Sequence, residues 1–270
     1  MAAAIRRALV ATSFGQIHCR EAGSGPAIAL LHVNQQSSAL YIEMLEAFAP
    51  RMRAIAVDYP SHGGSDHVAT QPTIGDYARC VVEVMDALGV GKFVALGEAV
   101  GALVAAELAA SYPDRVERLV LVNCPYFDPG KWTDELLGTS RERLRPADES
   151  GFPVTRTVRF LLEQDPVHAP MHPTQSWMDR INRAQIEIGR ERWQALAALK
   201  AYDLGPALER VRCPALLVMG EHFYHRARVD EIRRRLPPAH RYEVLPDTRF
   251  CATWERAAEI ARLAIELAGA

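Results

Sequence analysis

The chain has 270 residues, 49% of them hydrophobic and 24% charged, with a formal net charge of −2. That length can bury a substantial core, the composition is ordinary for a soluble globular protein, and the charge gives no basis for binding nucleic acid or an anionic membrane. No segment reaches the roughly 20 uninterrupted apolar residues of a membrane span. Residues 1–7 lack a signal peptide's apolar run, and five scattered cysteines without a C-x-x-C pair read as reduced thiols, so the expected location is cytoplasmic.

Residues 8–13 and 16–21 alternate apolar and polar side chains around Phe14-Gly15, which predicts a hairpin. Beyond Gly23-Ser24-Gly25-Pro26, the wholly apolar 27–31 predicts a strand covered on both faces. A helical pattern runs over 38–48, and 52–57 is the next buried strand, ending at Asp58. Apolar residues at helical spacing (Ile74, Tyr77, Val81, Val84, Met85, Leu88) predict a helix over 73–88, stopped by Gly89. The strand 93–96 runs into Leu96-Gly97-Glu98-Ala99-Val100-Gly101 and a helix of small residues over 102–110; 116–122 is another buried strand. From Cys124 to Leu204 prolines gather, helices look short and arginines imply solvated faces. Regular alternation returns with a strand over 214–219, a helix over 229–236, a strand over 241–245 and a final helix over 253–267. This order predicts an α/β protein with a mostly parallel, doubly wound sheet: a core of 1–123 and 205–270, and an inserted helical cap of 124–204.

Four landmarks carry chemistry. Leu30-Leu31-His32-Val33-Asn34 follows a buried strand; Asp58-Tyr59-Pro60-Ser61-His62-Gly63-Gly64-Ser65-Asp66 forms a turn; Gly97-Glu98-Ala99-Val100-Gly101 joins strand to helix; and Pro214 to Glu221 is a strand ending in Gly-Glu. Together they resemble the α/β-hydrolase superfamily over nearly the whole chain outside the cap. The first resembles the oxyanion loop, the second the D-x-P-G-x-G-x-S-D turn with Ser61 for its first glycine, and the third the G-x-S-x-G nucleophile elbow. The resemblance places nucleophile, acid and base at Ala99, Phe223 and Phe250, none of which can serve. It therefore implies a degenerate catalytic triad, since a serine nucleophile needs a histidine to take its proton and an acid to orient that histidine.

What remains is a pocket between sheet and cap, which the resemblance lines with His32, Val33, Asn34, Val100 and Cys124. Two phenylalanines at its base suit an apolar or aromatic ligand. Glu98, beside the elbow tip, is a candidate general acid or base; the alternative is a side chain turned away into a polar contact. His222, in Glu221-His222-Phe223-Tyr224-His225, is a candidate displaced base, and that stretch lacks the pattern of a metal site. His32 and His62 fit loop-packing roles, and Cys124 reads as a packed thiol rather than a relocated nucleophile. His168 and His172, interleaved with prolines, read as cap-loop residues, and Trp132, Trp177 and Trp193 as packing groups or ligand-side walls.

Three functions compete. One is non-hydrolytic acid–base chemistry on a small carbonyl compound, of lyase, isomerase or cyclase type, with Glu98 and His222 moving protons. Another is a non-catalytic ligand-binding, sensor or carrier protein, and the third a hydrolase with a relocated catalytic group. In each the partner is a small molecule, without cofactor, metal, nucleic acid or membrane, and a homodimer is compatible with all of them.

Overall fold

The computed structural model describes residues 4–128 and 172–270. Eight strands form one sheet in the order β1-β2-β4-β3-β5-β6-β7-β8. These are β1 (Arg6–Thr12), β2 (Gly15–Ala22), β3 (Ala27–Leu31), β4 (Arg53–Val57), β5 (Phe93–Glu98), β6 (Val116–Val122), β7 (Ala215–Gly220) and β8 (Arg241–Leu245). The β1–β2 hairpin turns at Gly15 (φ 95°), and β2 also runs antiparallel to β4; the other pairs are parallel. The architecture is the expected α/β-hydrolase fold.

Period-two alternation explains why the central strands are apolar along most of their length. Ala29, Leu31, Ile55, Val57 and Ala95 face one buried cluster, while Ile28, Leu30, Ala54, Ala56, Val94 and Leu96 face another. Each face is covered, so both sets of side chains must be apolar. One layer holds α2 (Ile74–Ala87) and α3 (Val100–Ser111); the other holds α1 (Ile42–Phe48) and a C-terminal helix. Thr73 starts α2 with a capping box, its side chain taking the Asp76 N–H while Asp76 takes that of Thr73.

Past the undescribed stretch come α4 (Gln175–Ile188), α5 (Gln194–Ala201) and α6 (Leu204–Arg210), then α7 (Val229–Arg233), α8 (Ala252–Glu255) and α9 (Ala257–Ala268). Three sequence expectations are corrected. The final helix is broken into α8 and α9 at Arg256, whose φ of −121° and ψ of 31° are not helical. α4 is a full 14 residues, because its apolar positions Trp177, Ile181, Ala184 and Ile188 keep one face buried. The helix begun at Val229 stops at Arg233, and Arg234 and Arg235 beyond it pair with Glu231. The Trp132 and His168 readings and most of the cap lie outside the described residues; His172 is exposed.

The parallel register places the site. Leu31 is level with Val57 on one side and Gly97 on the other, so the loops leaving β3, β4 and β5 emerge together. Val122 is likewise level with Val218, which brings the end of β7 to the same edge.

Candidate functional site

At the elbow, Ala99 holds φ 51° and ψ −114°, a backbone conformation that a residue with a Cβ rarely adopts. Its N–H donates to Val122 O (3.2 Å) and its carbonyl accepts from Ala102 N–H (3.0 Å). The flanking glycines are dictated by close backbone approach. A Cβ on Gly97 would lie 2.0 Å from Gly101 O, and one on Gly101 1.8 Å from Leu31 O. Ala99 belongs to a buried apolar cluster with Val33, Leu40, Trp177, Ile181 and Cys251, against which Phe250 and Trp254 pack. Trp177 and Ile181 come from α4, so this helix closes over the elbow. It is held there by Arg180 against Glu43 (2.6 Å) and by Gln185 Nε2 donating to Gln35 O (3.0 Å).

Glu98 turns the other way. It is fully buried, and both carboxylate oxygens are occupied. Oε1 accepts from Asn123 Nδ2 (3.0 Å) and Ala252 N–H (2.8 Å), and Oε2 from Thr253 N–H (3.2 Å) and Thr253 Oγ1 (2.5 Å). Burial raises its pKa, and the bonds from Thr253, Asn123 and Ala252 oppose that rise. The carboxylate ties β5 to the start of α8 and to the end of β6, where Asn123 (φ 44°) also donates to Arg249 O (2.8 Å). This is the polar contact given above as the alternative, and it replaces Glu98's reading as a free acid or base. Asn123 and Thr253 escaped the sequence reading; an asparagine immediately after a buried strand was the available signal, since asparagine tolerates positive φ.

The loop beyond β3 is fixed by His32. Its Nδ1 lies 2.7 Å from Val33 O and its Nε2 takes the Tyr59 N–H (3.3 Å). Those partners require a proton on Nδ1 and none on Nε2, and burial lowers the pKa of the ring, keeping it neutral. Asp58 anchors the next loop through Ser38 N–H, Gly64 N–H (2.9 Å) and His18 Nδ1 (2.8 Å). Burial would raise its pKa, but the His18 bond and the nearby histidines outweigh that and leave it lowered. Among the described residues, neither Val33 N–H nor Val100 N–H has a protein acceptor. Val100 is the first residue of α3, where the helix dipole favours negative charge. Asn34 beside them is half-buried.

The loop after β8 folds back onto the end of β7. His222 N–H donates to Thr248 O (2.9 Å), and a Cβ on Gly220 would lie 2.5 Å from that oxygen. Phe223 and Phe250 are thereby stacked, with ring centroids 6.3 Å apart and planes 17° from parallel. His222 does not enter this packing. Its side chain is 43% exposed, with Nε2 3.7 Å from Asp247 Oδ1 and 3.9 Å from Glu221 Oε2. Cys124 is buried with its pKa raised by burial, a packed thiol. Among the described residues no group of three or more His, Cys, Asp or Glu side chains could hold a metal, and no helix is long and apolar enough to cross a membrane.

A mostly parallel eight-stranded sheet with a strained strand-to-helix elbow after β5 defines an α/β-hydrolase architecture. The sequence model of the alpha/beta hydrolase fold family matches residues 26–257, and the chain belongs to that family. Haloalkane dehalogenase 2 of Mycobacterium tuberculosis is 27% identical over 201 residues, 74% of this chain and 69% of that protein. A 2-(acetamidomethylene)succinate hydrolase of Mesorhizobium japonicum is 32% identical over 113 residues, 42% of this chain and 41% of that one. Among solved structures, an enol-lactonase from Burkholderia xenovorans superposes with a TM-score of 0.80 at 21% identity, covering 97% of this chain and 100% of the other. The likeness to that enzyme is one of fold.

Proposed function

We propose that this chain is a small-molecule-binding member of the family whose catalytic triad is degenerate, and that its ligand is an apolar or aromatic carbonyl compound held between the elbow and a cap formed by residues 124–204. The observation that carries this reading is Ala99 at the tip of an intact elbow: the strained backbone and both close-approach glycines are kept, but the tip bears a methyl group. Phe223 and Phe250, at the positions the resemblance gives to acid and base, stack on each other. The described side chains clustered with Ala99 include Val33, Leu40, Trp177 and Ile181, an apolar surround. Acyl transfer requires a nucleophile and a base to deprotonate it, and neither the Ala99 methyl nor the Phe250 ring can serve as one.

The same residues suit recognition. Val33 N–H and Val100 N–H offer two donors to a carbonyl oxygen, Asn34 a third polar contact, and Trp177, Ile181 and Phe250 apolar walls. Glu98 supports the site as a clasp and takes no part in proton transfer. The relatives are hydrolases, so in this reading the chain keeps a hydrolase's scaffold and donor pair without the covalent step. A second reading, non-hydrolytic acid–base chemistry, rests on His222, whose Nε2 lies 3.7 Å from Asp247 Oδ1 at the end of β7.

One panel of short and aromatic acyl esters tests the first reading, read as substrates by turnover and as ligands by thermal shift. A compound that binds the folded state raises the melting temperature whether or not it reacts. The expected result is stabilisation by aromatic esters with no hydrolysis above buffer. Hydrolysis that disappears in His222→Ala would overturn the proposal in favour of a relocated catalytic group.

A further inference from the structure

Three buried side chains outside that site each carry a polar atom that no described residue pairs. Tyr59, His62 and Tyr77 are each fully buried, and Tyr59 Oη, His62 Nε2 and Tyr77 Oη have no hydrogen-bond partner among the described residues. Their rings pack as one group. Tyr59 and Tyr77 lie side by side, centroids 4.9 Å apart and tilted by 35°, and His62 stands nearly perpendicular to both, at 5.8 Å and 85° and at 6.2 Å and 86°. His62 Nδ1 is 2.9 Å from Pro60 O, which can only accept, so Nδ1 carries the proton and Nε2 presents a bare lone pair. Burial keeps this ring neutral, its pKa lowered to about 3. The group therefore offers one obligate acceptor and two hydroxyls, each able to donate and to accept.

We propose that Tyr59, His62 and Tyr77 frame an internal solvent site, in which ordered water donates to His62 Nε2 and accepts from the tyrosine hydroxyls. Buried polar atoms in folded proteins are almost always paired, and three orphans in one ring cluster would cost a large share of a domain's stability. Water fits the set, being both donor and acceptor and satisfied by two to four polar partners. The complete burial of all three side chains favours the smallest polar molecule. The neutral histidine supplies no charge for an anion.

The site backs onto the oxyanion loop. The His32 ring lies 4.2 Å from that of Tyr59 and 5.3 Å from that of His62, and His32 is the residue that holds Val33 O. Solvent here would prop the turn from Tyr59 to His62 and, through His32, the loop bearing the Val33 N–H. This assignment is independent of what binds above Ala99.

A double-mutant cycle tests it. Tyr59→Phe, Tyr77→Phe and the pair are compared by thermal unfolding, alongside a high-resolution crystal structure of the unaltered protein. Each substitution deletes only a hydroxyl. The expected result is a melting temperature about 2–4 °C lower for each single variant and a smaller loss in the pair than the sum, because both hydroxyls serve the same water. Solvent density should lie within hydrogen-bond distance of His62 Nε2. Unchanged or raised melting temperatures, as removal of an orphaned hydroxyl would give, or a map without solvent at Nε2, would overturn the proposal. Should Tyr59→Phe fold poorly, Tyr77→Phe and the map decide it alone.

Discussion

Replacing Glu98 separates a structural clasp from a proton carrier. In Glu98→Ala four hydrogen bonds vanish, and their donors fare differently. Asn123 Nδ2 keeps Arg249 O, and the Thr253 hydroxyl can rotate, but the N–H groups of Ala252 and Thr253 are stranded at the buried start of α8. Each stranded donor costs about 1–3 kcal/mol, partly offset by removing a carboxyl group that burial disfavours when charged. The expected net loss is about 3–5 kcal/mol, a fall in melting temperature of about 10 °C for a domain of this size. Glu98→Gln keeps an acceptor for Asn123 and Ala252 and turns its amide towards Thr253, stranding one N–H, for about 1–2 kcal/mol. Because the Glu98 pKa is raised in the folded state, its contribution is greatest in acid and is lost as pH rises through that raised pKa. The advantage of the unaltered protein over Glu98→Gln should therefore shrink with rising pH. Thermal and urea unfolding of both variants supply the measurement. If Glu98→Ala unfolds like the unaltered protein, or Glu98→Gln is the more damaging, the clasp assignment is wrong.

Two further outcomes are expected. Ala99→Ser alone should give no ester hydrolysis, whereas Ala99→Ser with Phe223→Asp and Phe250→His should give measurable turnover; equal activity in the single and triple variants would show that these are not the triad positions. Burial lowers the pKa of His62 to about 3 and that of His32 in the same direction, so the unfolded chain binds protons that the folded chain refuses as pH falls below 6.5. Stability is thus fully present above 6.5 and declines below it, His62 alone removing about 2 kcal/mol between pH 7 and 5, and urea midpoints flat across that range would contradict the buried neutral rings.

The fold was legible because its signals are local and repetitive. Strands covered on both faces are mostly apolar, so Ala27–Leu31 and, past Glu117 and Arg118 near its start, Val116–Val122 stand out with the bounds the structure gives them. The glycines at 97 and 101 mark the elbow because no Cβ fits between β5, β3 and α3. Helix ends were less legible. The break between α8 and α9 follows from the non-helical backbone of Arg256, a residue whose type gives no warning of it.

The site divides along the same line. Sequence alone determined that a methyl group sits at the elbow tip and that positions 223 and 250 are phenylalanines, since side-chain chemistry is a property of the residue itself. It could not determine where Glu98 points. That depended on Ala252 and Thr253, more than 150 positions away, arriving with their N–H groups unsatisfied at a helix start, and on Asn123 at the end of the neighbouring strand. Nor could it place His222 at the surface, because its orientation is set by the β8 loop folding back through Thr248 O. Which polar atoms are already satisfied is decided by partners distant in sequence, and only the tertiary structure brings those partners together.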